Sequence, residues 1–129
     1  MLRVLVVDDH PGTTEALSLL LRLLGHEAHA VHRGADALTA ARTLDPHLVM
    51  LDIGLPDITG YEVARALREE RGTRSYLAAA TGWGRPGDRE RAVAAGFDNH
   101  VTKPYDVRAI RELLRLSADA TARRGTQPV

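Results

Sequence analysis

Residues 4–9 read Val4-Leu5-Val6-Val7-Asp8-Asp9, four consecutive apolar side chains followed by two carboxylates. A strand with one solvated face would alternate apolar and polar residues, and this run does not. Unbroken apolar runs of this length are typical of parallel strands that are covered on both faces. A second run, Leu48-Val49-Met50-Leu51, has the same character and also ends in a carboxylate, Asp52. The two runs predict parallel strands that are buried on both faces of a sheet.

Three further runs and five helical patterns complete the chain. The runs are weaker and lie near residues 28–31, 76–80 and 100–101. Apolar residues with helical spacing occupy segments around 17–24, 37–44, 63–67, 89–95 and 107–114. Strands that alternate with helices require parallel pairing and right-handed crossovers. The sequence therefore predicts an α/β fold, a three-layer, doubly wound (βα)5 sandwich around a parallel sheet.

The length and composition indicate one soluble domain. The chain has 129 residues, of which 44% are hydrophobic and 26% are charged. No apolar run approaches the ~20 residues that a membrane span needs, and the N-terminus lacks a signal-peptide layout. We expect a cytoplasmic protein with no membrane partner. The helical pattern weakens after Ser117, so residues 1–117 are predicted as the domain and residues 118–129 as a helix end and flexible tail.

Charge and cysteine content exclude several classes of function. The chain has 17 basic and 17 acidic residues, for a net charge of +0. This balance lacks the electrostatic footprint of a nucleic-acid binder, so no direct nucleic-acid partner is expected. The absence of cysteine excludes disulfides, thiolate metal sites and cysteine nucleophiles.

Polar residues follow four of the five predicted strands. Asp8 and Asp9 follow the first strand, Asp52 the third, Thr81 the fourth and Lys103 the fifth. Lys103 is also the sole lysine in a chain that otherwise uses arginine. The carboxyl ends of parallel strands share one edge of the sheet, where ligands of open α/β folds bind. The sequence therefore predicts that three carboxylates, one hydroxyl and one ammonium converge there.

Three converging carboxylates need a cation, because they otherwise repel one another. Mg²⁺ fits oxygen ligands of this kind, and Mn²⁺ is a possible substitute. A carboxylate beside such an ion can attack a phosphoryl group and form an aspartyl phosphate, whose oxygens the hydroxyl and ammonium would contact. Each residue also has an ordinary structural interpretation. The acidic pair could cap a helix, and the other residues could belong to turns or solvated loops.

As a set, these residues resemble the receiver domain of two-component response regulators. The resemblance extends from Leu2 to about Leu116, and it implies a flavodoxin-like fold with strand order 2-1-3-4-5. A narrower likeness is to receivers of hybrid sensor kinases. The matching pieces are Val6-Val7-Asp8-Asp9-His10, Asp52 with Ile53-Gly54-Leu55-Pro56 and Gly60, Thr81-Gly82, and Lys103-Pro104.

The resemblance assigns the acceptor and the metal ligands. Asp52 is expected to take a phosphoryl group from a histidine kinase or a histidine phosphotransfer protein. Asp9 is expected to bind Mg²⁺ directly, Asp8 through water, and Gly54 through its backbone carbonyl. The resemblance also implies that Lys103 binds the phosphoryl group after a cis peptide bond to the following proline.

Thr81 matches the switch hydroxyl of receivers, but two positions near it are unusual. Receivers carry an aromatic switch residue three positions before the lysine, where this chain has His100. We expect His100 to follow Thr81 inward on phosphorylation and to respond to pH, with a surface role as the alternative. Trp83 is expected to shield the phosphoryl group at the mouth of the site.

The implied output is a change of surface. The phosphoryl group carries about −1.5 to −2 charges, and its arrival should alter the face formed by the fourth helix, fifth strand and fifth helix. A downstream protein or a second copy is expected to bind this face. We expect no enzyme activity beyond self-phosphorylation and self-dephosphorylation. A Mg²⁺-dependent phosphohydrolase would usually need a second aspartate at the position of Gly54. A non-phosphorylated pseudo-receiver is the other alternative.

Overall fold

The computed structural model describes residues 1–72, 74–82 and 87–126. Its strands are β1 (Arg3–Val7), β2 (Glu27–Val31), β3 (Leu48–Asp52), β4 (Tyr76–Thr81) and β5 (Asn99–Thr102). Its helices are α1 (Pro11–Leu23), α2 (Gly34–Leu44), α3 (Gly60–Arg71), α4 (Asp88–Ala95) and α5 (Val107–Thr126). All strand pairs are parallel, in the order β2-β1-β3-β4-β5. The predicted fold class and strand order are confirmed.

The unbroken apolar runs are explained by cores on both faces of the sheet. Leu5 and Val7 of β1 face a core with α2, α3 and α4. Val4 and Val6 face the opposite core, to which α1 and α5 contribute. All four side chains are buried, because successive residues of a strand point to opposite faces.

Strand register brings the ends of the strands together. Val7 pairs with Leu51, Asp52 with Ala80, and Thr81 with Thr102. The residues that follow β1 and β5, together with those that end β3 and β4, therefore share one edge of the sheet. The polar residues that follow the strands were predicted from the sequence to lie at this edge.

The last helix is longer than the sequence pattern indicated. α5 continues past Ser117 to Thr126, and both Ser117 and Ala120 are buried. Val107 is 46% exposed although the helical pattern placed it on the apolar stripe. Residues 127–129, the end of the predicted tail, lie outside the described residues. Within the described part of the chain, no helix is long and apolar enough to cross a membrane.

Two histidines hold the opposite end of β1. The backbone N–H of Leu2 donates to Nδ1 of His26 at 3.0 Å, and that of Arg3 donates to Nδ1 of His47 at 2.8 Å. A ring nitrogen accepts only when the imidazole is neutral. Partial burial lowers the pKa of both histidines, and the nearby N-terminal charge and Arg3 act in the same direction. The start of β1, an interior strand of the sheet, therefore depends on two uncharged rings.

Candidate functional site: an acidic cluster at the sheet edge

Three carboxylates meet where β1 and β3 end. Asp8, Asp9 and Asp52 each place one oxygen within 4.8 Å of the others. Asp8 is only 1% exposed and Asp52 only 9% exposed, whereas Asp9 is open to solvent. The structure thus brings together the three residues that the sequence predicted to converge.

Both oxygens of the buried Asp8 are occupied. Oδ1 accepts a hydrogen bond from the backbone N–H of His10 at 3.0 Å. Oδ2 accepts from Nζ of Lys103 at 2.7 Å. A buried carboxylate is costly unless it is paired in this way. Asp8 is therefore fixed by the loop after β1 and by the residue that follows β5.

Lys103 bridges two of the carboxylates. Its Nζ lies 2.7 Å from Oδ2 of Asp8 and 3.3 Å from Oδ2 of Asp52. Partial burial by itself lowers the pKa of Lys103. The hydrogen bond to Asp8 and the charges of Asp52 and Asp8 outweigh that effect, so its pKa is raised above the ordinary value. Lys103 is therefore a fixed cation, and the Lys103–Pro104 peptide bond is cis, as the resemblance implied.

The loop after β3 closes around Asp52. Oδ1 of Asp52 accepts from the backbone N–H of Gly54 at 3.2 Å. Further along, the N–H of Gly60 donates to the carbonyl oxygen of Ile53 at 2.9 Å. A Cβ at Gly60 would lie 2.6 Å from the carbonyl oxygen of Asp52. The start of α3 therefore packs directly on the backbone of Asp52.

A cavity of about 470 Å³ opens beside Asp52, and Thr81 lines its wall. Thr81 is half-buried, and its carbonyl oxygen accepts from the N–H of Lys103 at 2.7 Å. Arg91 lies at the rim with its guanidinium carbon 4.6 Å from the ring centroid of Tyr61. Sequence reasoning did not predict Arg91 and Tyr61 as site residues. Their positions in α4 and α3 were the only sequence feature that could have placed them near this edge of the sheet.

The structure does not bring His100 to the acidic cluster. His100 is exposed on β5 and lines a different cavity with Val93 and Phe97. Its role as a second switch residue stays a prediction. Trp83, predicted at the mouth of the site, lies outside the described residues.

Tyr105 is a neighbour of the site that sequence reasoning also missed. Tyr105 is half-buried and lines a groove of about 620 Å³ between α1 and the loop that follows β5. Burial raises the pKa of the phenol, and the charges of Asp8 and Asp52 raise it further. Tyr105 therefore stays neutral and adds no charge next to Lys103.

The donor set of the cluster fits a hard divalent cation. Carboxylate oxygens from Asp8, Asp9 and Asp52 converge, and carboxylates are the ligands preferred by Mg²⁺, Ca²⁺ and Mn²⁺. Asp9 and part of Asp52 are accessible to solvent, so an ion could keep several of its waters. Both the carboxylate ligands and the spacing of their oxygens are therefore compatible with a metal site at the acidic cluster.

Comparison with known proteins shows the family. The model of the response regulator receiver domain matches residues 4–115. The probable transcriptional regulatory protein TcrX of Mycobacterium tuberculosis is 37% identical over 98% of this chain and 55% of its own length. The DNA-binding response regulator MtrA of Mycolicibacterium smegmatis is 36% identical over 93% of this chain and 54% of its own. The chain therefore spans about half the length of the curated relatives it matches.

Solved structures give the same fold. The response regulator DrrB of Thermotoga maritima has a TM-score of 0.80 and 28% identity, covering 92% of this chain and 53% of its own. The chemotaxis protein CheY4 of Vibrio cholerae has a TM-score of 0.85 and 24% identity, covering 91% of this chain and 98% of its own. At that identity, the second likeness shows the fold alone.

The relatives correct one prediction. Balanced charge led us to expect no direct nucleic-acid partner, but MtrA is by name a DNA-binding response regulator. The expectation was wrong because the net charge of the aligned segment carries no information about the other half of such proteins. TcrX is by name a transcriptional regulatory protein and MtrA a DNA-binding response regulator, and neither name supports the narrower likeness to hybrid kinases. With a family match over nearly its whole length and the receiver topology in its sheet, this chain belongs to the response regulator receiver domains of two-component systems.

Proposed function

We propose that Asp52 accepts a phosphoryl group in a Mg²⁺-dependent reaction, from a phosphohistidine of a histidine kinase or a histidine phosphotransfer protein. The observation that carries the proposal is the position of Asp52. Its Oδ2 lies 3.3 Å from the lysine ammonium, and its carboxylate belongs to a three-aspartate cluster beside an open cavity. Nucleophile, cation and space for the incoming group are thus adjacent.

The transfer is a displacement at phosphorus. A carboxylate oxygen of Asp52 forms the new O–P bond as the N–P bond of the phosphohistidine breaks, and the imidazole leaves and takes up a proton. Asp8, Asp9, Asp52 and the Gly54 carbonyl would hold Mg²⁺, which supplies neutralisation of the phosphoryl oxygens. Gly54 stands where a phosphohydrolase would usually carry a second aspartate, so we propose that the chemistry of the chain is limited to its own phosphorylation and dephosphorylation.

Two side chains of the described site would bind the product. Lys103 is already held beside Asp52, and its ammonium would pair with a phosphoryl oxygen as a point charge. Thr81 lines the cavity, and its hydroxyl would donate to another phosphoryl oxygen. Movement of Thr81 would change the surface formed by α4, β5 and α5.

Intact mass spectrometry tests the proposal. The protein is incubated with acetyl phosphate and Mg²⁺, and the same reaction is run with Asp52→Asn, with EDTA, and with Asp36→Asn as a matched control. Asp36 is an exposed aspartate in α2, away from the cluster. We expect one Mg²⁺-dependent phosphoryl adduct in the wild type and the control, and none in Asp52→Asn. A wild type that gains no adduct and shows no amide shift at Thr81 with Mg²⁺ and beryllofluoride would instead be a pseudo-receiver.

A further inference from the structure

The N-terminus of α2 has no cap of its own. The N-cap position is Arg33, whose side chain makes no capping hydrogen bond. The first backbone N–H groups of a helix lack partners within the helix and are usually satisfied by a Ser, Thr, Asp or Asn side chain at the N-cap. α2 therefore needs an acceptor from another part of the chain.

Asp57 supplies that acceptor from the loop between β3 and α3. Its Oδ1 accepts from the N–H of Gly34 at 2.8 Å, and its Oδ2 accepts from the N–H of Ala35 at 3.0 Å. Hydrogen bonds from Ala35 and then Gly34 lower the pKa of Asp57 to about 2. Both carboxylate oxygens are thus committed to one helix terminus.

Packing reinforces the contact between this loop and α2. A Cβ at Gly34 would lie 2.5 Å from Cγ1 of Ile58, so the residue after Asp57 sits directly against the helix backbone. Ile58 also packs with Ile53 and Leu55 on the core beneath. The loop therefore packs its apolar side chains on the core, and on its exposed side Asp57 bonds it to the start of α2.

This loop is the segment that carries the acceptor site. It starts directly after Asp52 and passes through Gly54, whose N–H donates to Asp52 and whose carbonyl is a proposed metal ligand. It ends at Gly60, whose N–H is bonded to Ile53. Between these two points, Asp57 makes the hydrogen bonds that tie the exposed part of the loop to a neighbouring helix.

We propose that Asp57 is a positioning residue for the phosphoacceptor site. By clamping the loop to the start of α2, it holds the Gly54 carbonyl in place to bind Mg²⁺ beside Asp52. This inference rests on the proposed function. Residues that orient metal ligands commonly change metal affinity or activity by about 10–100-fold when mutated. Since the loop keeps its apolar contacts, we expect an effect of about tenfold, at the low end of that range.

The test compares three variants of the full chain. Asp57→Ala removes both acceptors, and Asp57→Asn keeps one acceptor oxygen. Asp36→Asn removes a negative charge from the first turn of the same helix, where Asp36 forms an ion pair with Arg33. The probe is Mg²⁺ alone, titrated against the backbone amide shift of Gly54. Initial rates of phosphorylation by acetyl phosphate are measured alongside, and urea unfolding reports stability.

We expect the Mg²⁺ dissociation constant to rise about tenfold in Asp57→Ala, to rise less in Asp57→Asn and to stay unchanged in Asp36→Asn. If Asp57 is only a structural cap, its variants will lose stability without any change in Mg²⁺ affinity. That result would overturn this inference but would leave the proposed function intact. If the wild type and Asp36→Asn also fail to bind Mg²⁺ and to be phosphorylated, the proposed function fails too. If Asp57→Ala does not fold, the Mg²⁺ dissociation constants of Asp57→Asn and Asp36→Asn are compared instead. A higher constant in Asp57→Asn supports the inference, and equal constants overturn it.

Discussion

Replacing Gly60 by alanine should damage both the fold and the acceptor site. Gly60 is the first residue of α3, and replacing glycine by alanine in a compatible backbone conformation ordinarily stabilises a protein by about 0.4–1 kcal/mol. Here a Cβ would lie 2.6 Å from the carbonyl oxygen of Asp52 and 2.7 Å from the Cα of Ile53. Both are backbone atoms, so no flexible side chain can move aside. The clash therefore opposes the intrinsic preference.

The size of the effect follows from that overlap. Ordinary contact begins near 3.4 Å, so the start of α3 and the end of β3 must separate by about 0.8 Å. Overpacking of this kind costs about 1–3 kcal/mol of unfolding free energy. The same shift moves the carboxylate of Asp52 relative to Lys103, and displacements near 1 Å reduce reaction rates by up to about a hundredfold. We expect a loss of phosphorylation rate between about tenfold and a hundredfold.

Urea unfolding and acetyl phosphate kinetics measure the two effects. Gly12→Ala is the matched control, because Gly12 lies in the first turn of α1 and a Cβ there has no atom within 4 Å. The control should gain about 0.5–1 kcal/mol of stability and be phosphorylated at the wild-type rate. If Gly60→Ala proves as stable and as reactive as Gly12→Ala, the packing of α3 on Asp52 does not constrain the site.

Three further predictions concern other parts of the molecule. The contribution of His26 and His47 to the unfolding free energy should be full above pH 6.5 and fall as the pH drops below it, because the unfolded chain protonates these histidines before the folded one does. Urea unfolding midpoints that do not change from pH 7.5 to about 5.5 would contradict this. Leu67→Ala should lower the unfolding free energy by about 2–5 kcal/mol, measured by urea unfolding, since the side chain is fully buried between α3 and the sheet. Lys103→Met should bind Mg²⁺ more tightly in a calorimetric titration, because the cation that pairs with Asp8 no longer competes, and weaker binding would refute that competition.

The sheet and the acidic cluster could be predicted because their signals are local. The run Val4–Val7 indicates burial on both faces of a sheet, and the carboxylates that follow such parallel strands meet at one edge. The end of α5 was less predictable. The apolar stripe weakens after Ser117, but Ala120 is small enough to stay buried where α5 continues.

Contacts between distant elements gave no sequence signal. Asp57 looks like an ordinary turn residue, and its role as a cap depends on α2, more than 20 residues away. Arg91 packs on Tyr61 only because α3 and α4 are neighbours in the fold. His100 is a different case. Its position in the chain matches a switch residue, and strand alternation places Val101 inward and His100 on the exposed side of β5. Its inward movement on phosphorylation stays a prediction.

The charges of the cluster explain why a single lysine belongs in it. Three carboxylates and one ammonium leave two net negative charges, which one divalent cation would cancel. Under the proposed function, the phosphoryl group then brings about −1.5 to −2 charges to Asp52, while the carboxylate gives up its own negative charge in the new O–P bond. The ammonium of Lys103 already lies between Asp8 and Asp52. It can therefore leave the Asp8 carboxylate and pair with a phosphoryl oxygen on Asp52 with little movement. A guanidinium would favour a planar, two-pronged contact with one carboxylate. A compact ammonium can serve both partners in turn, which gives a physical reason for lysine in a chain that otherwise uses arginine.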